Sequence, residues 1–129
     1  YDEDRDQVVE RAAAAGVTRI IIPAVDAVTT REAIALSEHY PGVYAAAGVH
    51  PNRTASFGDA ELAEIEVLAR SPRIVAIGEI GLDYYWDKSP KPAQHAAFEA
   101  QLALAARLEL PVIIHNREAS EDVIAVLQT

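Results

Sequence analysis

Ile77-Gly78-Glu79-Ile80-Gly81-Leu82-Asp83-Tyr84-Tyr85 and, further on, Pro111-Val112-Ile113-Ile114-His115-Asn116-Arg117 are the stretches that decide how this chain folds. Each is an apolar run of the kind that forms a fully buried strand, and each ends abruptly in metal-capable or charged side chains. A carboxylate and an imidazole delivered from the ends of neighbouring strands make half of a divalent-metal site. The other half is not in this sequence.

Working outward, apolar strand-like runs alternate with helix-like runs along the whole chain. The spacing predicts a helix over about 3–15, with Val8, Val9, Ala12 and Ala15 on one face and Gly16 as its stop. A β-branched strand follows over Thr18 to Pro23, and Thr29-x-x-Glu32 reads as a capping box opening a helix that ends near His39 or Tyr40. Val43 to Val49 is a second strand, ending in His50-Pro51, and Asp59 to Ala69 is a helix with Leu62, Ile65 and Leu68 at helical spacing. Ile74 to Ile77 is a third strand, followed by a long polar loop containing Trp86, Asp87 and Lys88. A helix from about Ala93 to Leu108 turns Phe98, Leu102, Ala105 and Leu108 inward, Val112 to Ile114 is the fourth strand, and a last helix covers Ser120 to Leu127. Unbroken apolar strands flanked by helices predict an α/β fold, a parallel sheet of four consecutive βα units forming one domain over residues 1–129.

Composition narrows the function. Half of the residues are apolar, many of them Ala, which predicts slim, closely packed helices. There is no Cys, so disulfide scaffolds and thiolate metal sites are excluded. No apolar run approaches the ~20 residues of a membrane span, and nothing resembles a signal peptide, so a soluble, cytoplasmic protein without a membrane partner is expected. A net charge of −9 argues against binding nucleic acid through a broad basic face but leaves a phosphate substrate open, since bound cations reverse the potential within one cleft. The acidic surplus, such as Asp2 to Asp6, Glu61, Glu64 and Glu66, reads as solvated helix surface. The chain has no Met, and we read it as a piece of a longer protein.

In parallel α/β folds, ligands bind at the C-terminal ends of the strands. The residues expected there are Asp26, His50, Glu79 with Asp83, and His115 with Arg117, while the strand interiors are expected to hold no ionisable group. Glu79, between Gly78 and Gly81, suits Mg²⁺, Mn²⁺ or Zn²⁺, or else is a capping or salt-bridged Glu. His115 is a metal ligand or a satisfied structural His. Arg117 clamps a phosphate or carboxylate from the His115 face, or pairs with Glu118 or Glu121. His50, stiffened by Pro51, orients substrate or supports a ligand, and Asp83 holds an ion or accepts from a neighbouring His. Asp26 reads as a helix cap, His39 and His95 as solvated, and Tyr84, Tyr85 and Trp86 as base-stacking or local packing.

Together, Gly48-Val49-His50-Pro51, the Gly78 to Tyr85 stretch, Gln94…Phe98…Gln101-Leu102…Leu104-Ala105 and Leu110 to Ala119 resemble the TatD family of metal-dependent deoxyribonucleases, in the family's order and over nearly the whole chain. The resemblance implies a partial TIM (β/α)₈ barrel, here its N-terminal-half portion, with a site for two divalent metal ions on the C-terminal rim. It implies that Glu79 and His115 bind the metals and act in catalysis, and that His50 and Arg117 lie near the scissile phosphate of a DNA substrate. The activity implied is phosphodiester hydrolysis, often from a strand end.

By the same resemblance, a His-x-His pair upstream of Tyr1 and a later His and Asp are missing, and Glu118 stands where the family often has Asp. A complete barrel needs ~250 residues. The chain alone is therefore expected to be inactive, and its open sheet edges to favour self-association, although the sequence leaves the oligomeric state open. Two other readings fit the same residues: a related metallohydrolase acting on small esters or amides, and a non-catalytic half-barrel.

Overall fold

The computed structural model describes residues 3–86 and 88–129; the readings of Asp2 and Asp87 given above lie outside the described residues. Four strands form one sheet in the order β1-β2-β3-β4, and every neighbouring pair is parallel. The strands are β1 (Ile20–Ile22), β2 (Val43–Ala47), β3 (Ile74–Asp83) and β4 (Val112–Arg117). The helices are α1 (Arg5–Ala14), α2 (Ala27–His39), α3 (Asp59–Ala69), α4 (Lys91–Leu108) and α5 (Ser120–Leu127). Sequential strand order with a helix in each crossover is the pattern of a barrel segment. At the C-terminal mouth the sheet is drawn inward. Main-chain bonds run from Ala24, just past β1, to β3: Ala24 N to Gly78 O at 3.2 Å and Glu79 N to Ala24 O at 2.9 Å.

The small residues of the sequence set the packing. Ala45, Ala46 and Ala47 of β2 are fully buried, and Ala27 and Ala33 bring α2 down close to the sheet. Phe98 and Leu104 of α4 and Ile65 of α3 fill the space against Ile77, Ile80 and Leu82. No residue of α1 is buried, so the expected inward face is only partly covered, and Ala15 lies beyond the helix end. α3 and α5 have the expected limits.

Two expectations need correction. The capping box of α2 is not Thr29-x-x-Glu32. Asp26 is the N-cap and accepts from Thr29 N at 2.8 Å, while the Thr29 hydroxyl accepts from Asp26 N at 3.0 Å. The box therefore sits three residues earlier, because Asp caps as well as Ser or Thr. The second correction is larger. β3 does not stop at Ile77 but runs through Asp83, and β4 runs through Arg117. Glu79, Asp83, His115 and Arg117 are thus on strands, not beyond them, and the strands do carry ionisable groups. Hydrogen bonding to β4 keeps β3 extended where its glycines suggested a loop.

Gly81 shows how tight that pairing is. Its φ is +144°, and a Cβ there would lie 2.0 Å from the His115 carbonyl oxygen. Only glycine allows β4 to approach this closely.

Candidate metal centre at the strand ends

Parallel register sets the site. Gly81 pairs with His115 and Asp83 with Arg117, and the ladder between β3 and β4 shifts between Gly78 and Ile80. At that irregularity the Glu79 N–H turns to Ala24 instead of β4. The Glu79 side chain thereby comes into the mouth beside His115.

Three donor atoms converge there. His115 Nδ1 lies 2.9 Å from Glu79 Oε1 and 3.3 Å from His50 Nε2. Among the described residues, His50, Glu79 and His115 form a group able to hold a metal ion, their ligand atoms all within 4.8 Å of one another. Donors bound ~2.1 Å from one ion sit roughly 3.0–3.4 Å apart in octahedral or tetrahedral geometry, so the spacing fits a shared cation.

Each nitrogen of the His115 ring faces a carboxylate: Nε2 lies 2.9 Å from Asp83 Oδ2 and Nδ1 lies 2.9 Å from Glu79 Oε1. In the tautomer with its hydrogen on Nε2, donated to Asp83, the Nδ1 lone pair faces Glu79 and is open to a cation. In that tautomer a cation between Glu79 Oε1 and Nδ1 satisfies both atoms; with a hydrogen on Nδ1 the same 2.9 Å contact is a hydrogen bond to Glu79. His50 is different. Its Nδ1 accepts from Asn52 N at 3.1 Å, which leaves the hydrogen of the neutral ring on Nε2. Burial, followed by the neighbouring His115, pushes its pKa below the ordinary imidazole value, which favours that neutral form. In that form His50 Nε2 points a donor into the site, beside Glu79 and His115.

Asp83 is the hub. It is fully buried, its Oδ2 takes His115 Nε2 and also Asn52 Nδ2 at 3.3 Å, and its Oδ1 takes the N–H groups of Tyr85 and Trp86 at 3.0 and 3.1 Å. Burial alone would raise its pKa, but the Trp86 N–H, the His115 ring and the Tyr85 N–H outweigh it and hold the carboxyl below the usual range. Asn52 Oδ1 is buried with no hydrogen-bond partner among the described residues.

The remaining candidates disperse. Arg117 does not reach the centre: its guanidinium lies 4.1 Å from the Tyr85 ring centroid, and among the described residues it forms no salt bridge with Glu118 or Glu121. Asp26 caps α2 and pairs with Arg53 at 2.8 Å. His39 is exposed, whereas His95, expected to be solvated, lies 2.7 Å from the Tyr84 hydroxyl, which donates to Asp122 at 2.5 Å.

Three supporting residues were given no role in the sequence reading, although two of them, Gln94 and Gln101, belong to the helix pattern quoted there. Gln94 and Gln101 sit seven residues apart on the buried face of α4. Gln94 Oε1 accepts from Asp83 N at 2.8 Å, and Gln101 Oε1 accepts from Val49 N at 2.8 Å, so each amide pins the main chain beside a site residue. The available signal was two amides at two-turn spacing among Phe98 and Leu104, polar where an apolar stripe was due. Asn52 had no such signal.

A family model described as TatD related DNase matches residues 1–129. The chain is 46% identical over 128 residues to an uncharacterized metal-dependent hydrolase, YabD, of Bacillus subtilis, covering 99% of this chain and 50% of that protein. It is 42% identical over 128 residues to a 3'-5' ssDNA/RNA exonuclease, TatD, of Klebsiella pneumoniae, covering 99% of this chain and 49% of that protein. The crystal structure of YJJV, a TatD homolog from Escherichia coli K12, superposes with a TM-score of 0.90 at 37% identity, covering 98% of this chain and 49% of that one. The chain thus spans about half the length of the relatives it matches.

Proposed function

Because the chain belongs to the family of TatD-related DNases, we propose that the complete protein is a metal-dependent hydrolase of phosphodiester bonds in single-stranded DNA, working from a strand end. The observation that carries this reading is the convergence of His50, Glu79 and His115 at the mouth of the sheet, with ligand atoms all within 4.8 Å of one another. Similarity to a relative described as a 3'-5' ssDNA/RNA exonuclease supports the choice of substrate. A chain without Cys suits the reducing cytoplasm, where we place the activity.

Glu79 and His115 would contribute ligands to a site for two divalent cations, Mg²⁺, Mn²⁺ or Zn²⁺, completed by residues outside this chain. Such ions acidify a coordinated water and offset the charge of a phosphate. The chain's own residues do the rest. Asp83 fixes the His115 ring through Nε2, so that Nδ1 faces inward. His50, held by Asn52 N, offers its Nε2 hydrogen to an oxygen of the scissile phosphate. A donor at that position would favour a dianionic transition state over the monoanionic substrate.

The test is hydrolysis of a single-stranded oligodeoxynucleotide by the complete protein with Mn²⁺, beside its Glu79→Ala and His115→Ala variants. Both substitutions are expected to bring turnover down to background. Wild-type turnover in either variant would defeat the assignment. Turnover of small esters in place of the oligonucleotide would move the proposal to a small-molecule metallohydrolase.

A further inference from the structure

Where the chain leaves β3, it carries two neighbouring aromatic side chains into solvent: Tyr85 is 49% and Trp86 is 52% exposed. A single exposed ring is unremarkable on a protein surface. These two, however, meet edge to face with centroids 4.9 Å apart, and they are flanked by cations. The Arg117 guanidinium lies 4.1 Å from the Tyr85 centroid and 5.8 Å from that of Trp86, and Lys88 Nζ lies 5.7 Å from Trp86 on the same loop. Two cations thus stand against the π faces of this pair.

The cluster is tied to the metal centre through one side chain. Asp83 Oδ1 holds the Tyr85 and Trp86 N–H groups at 3.0 and 3.1 Å, while its Oδ2 holds His115 Nε2 at 2.9 Å. The main chain that carries the rings is therefore tied to the same carboxylate that contacts His115. We propose that Tyr85, Trp86 and Arg117 form a stacking platform for an unpaired nucleobase of the substrate, next to the phosphate held at Glu79 and His115. The platform rests on the nuclease reading above and adds to it a subsite and a selection rule. Every base has a π face, so the platform takes any base. A base within a duplex is already stacked on its neighbours and cannot reach it, so unpaired ends are selected. Arg117 adds a charge for the adjoining phosphate as well as its contact with the ring.

The experiment uses the complete, Mg²⁺-loaded protein and a short single-stranded oligodeoxynucleotide bearing 2-aminopurine, whose fluorescence is quenched on stacking. Binding and hydrolysis are followed for the wild type and for Trp86→Ala, Trp86→Phe and Tyr85→Ala. Both rings are half exposed, so these variants should fold, which far-UV circular dichroism checks. Trp86→Ala and Tyr85→Ala are each expected to weaken binding and raise KM by roughly tenfold, with less quenching, and Trp86→Phe to recover most of the loss. The loss should be far smaller on a blunt duplex. If both alanine variants bind and quench like the wild type, the platform is wrong even though the enzyme is a nuclease. If the wild type binds and quenches with these dependences but never cleaves, the nuclease reading fails and the platform stands.

Discussion

At the scale of single residues, the site depends on which nitrogen carries each proton. Asn52 N leaves the hydrogen of neutral His50 on Nε2, while His115 lies between Asp83 and Glu79 with a carboxylate at each nitrogen. The proposed function needs His115 to donate to Asp83 and offer its Nδ1 lone pair to a cation, and His50 to offer a donor to an oxyanion. Asp83→Ala in the complete protein should weaken Mn²⁺ binding about 10–100-fold by calorimetry, the usual cost of losing a carboxylate behind a ligand His. Unchanged affinity would show that Asp83 only shapes the loop. That Glu79 and His115 meet was legible in the sequence, because each stands near the end of an aliphatic run. The network behind them was not. Asp83 meets His115 across 32 residues and Gln101 meets Val49 across 52, and such pairings exist only once the sheet has formed.

At the scale of elements, β3 carries the site. Its ten residues contain two glycines, and composition alone suggested that the strand ended at Ile77. Partner register overrides that local preference, as it often does for strands. Gly81→Ala should therefore destabilise the fold by at least ~2 kcal/mol, since a Cβ at φ +144° would meet the His115 carbonyl at 2.0 Å. Urea denaturation with an unshifted midpoint would refute this. The end of β3 is also fastened to α4 and α5, by Tyr84 through His95 and Asp122. Burial, with donation to Asp122, pushes the Tyr84 phenol up from 10.0 to about 12. A raised pKa favours the neutral phenol in the folded state, so its contribution is complete below pH 10 and drains away as pH rises towards 12. Over that window the wild type should lose roughly 1–2 kcal/mol more than Tyr84→Phe once solvent screening is allowed for. Equal slopes for the two proteins would remove Tyr84 from the account.

At the scale of the whole molecule, the sheet is an arc with β1 and β4 at its two edges. The parallel βα order was readable from periodicity, because strands buried on both faces leave unbroken apolar runs. The inward draw at the mouth was not readable, since it depends on Ala24 bonding across to Gly78 and Glu79. With Glu79 and His115 as the proposed ligands, the 129 residues alone should show no Mn²⁺-dependent digestion of single-stranded DNA, and their unpaired edges should associate in sedimentation. Digestion by the isolated chain, or a clean monomer, would contradict those expectations in turn. The claim beneath all of these is that His115 Nδ1 and Glu79 share an ion. Anomalous diffraction from Mn²⁺-loaded crystals of the complete protein tests it directly. The expected result is a peak ~2.0–2.3 Å from both His115 Nδ1 and a Glu79 carboxylate oxygen. A peak on His115 Nε2, or none near Glu79, would contradict it.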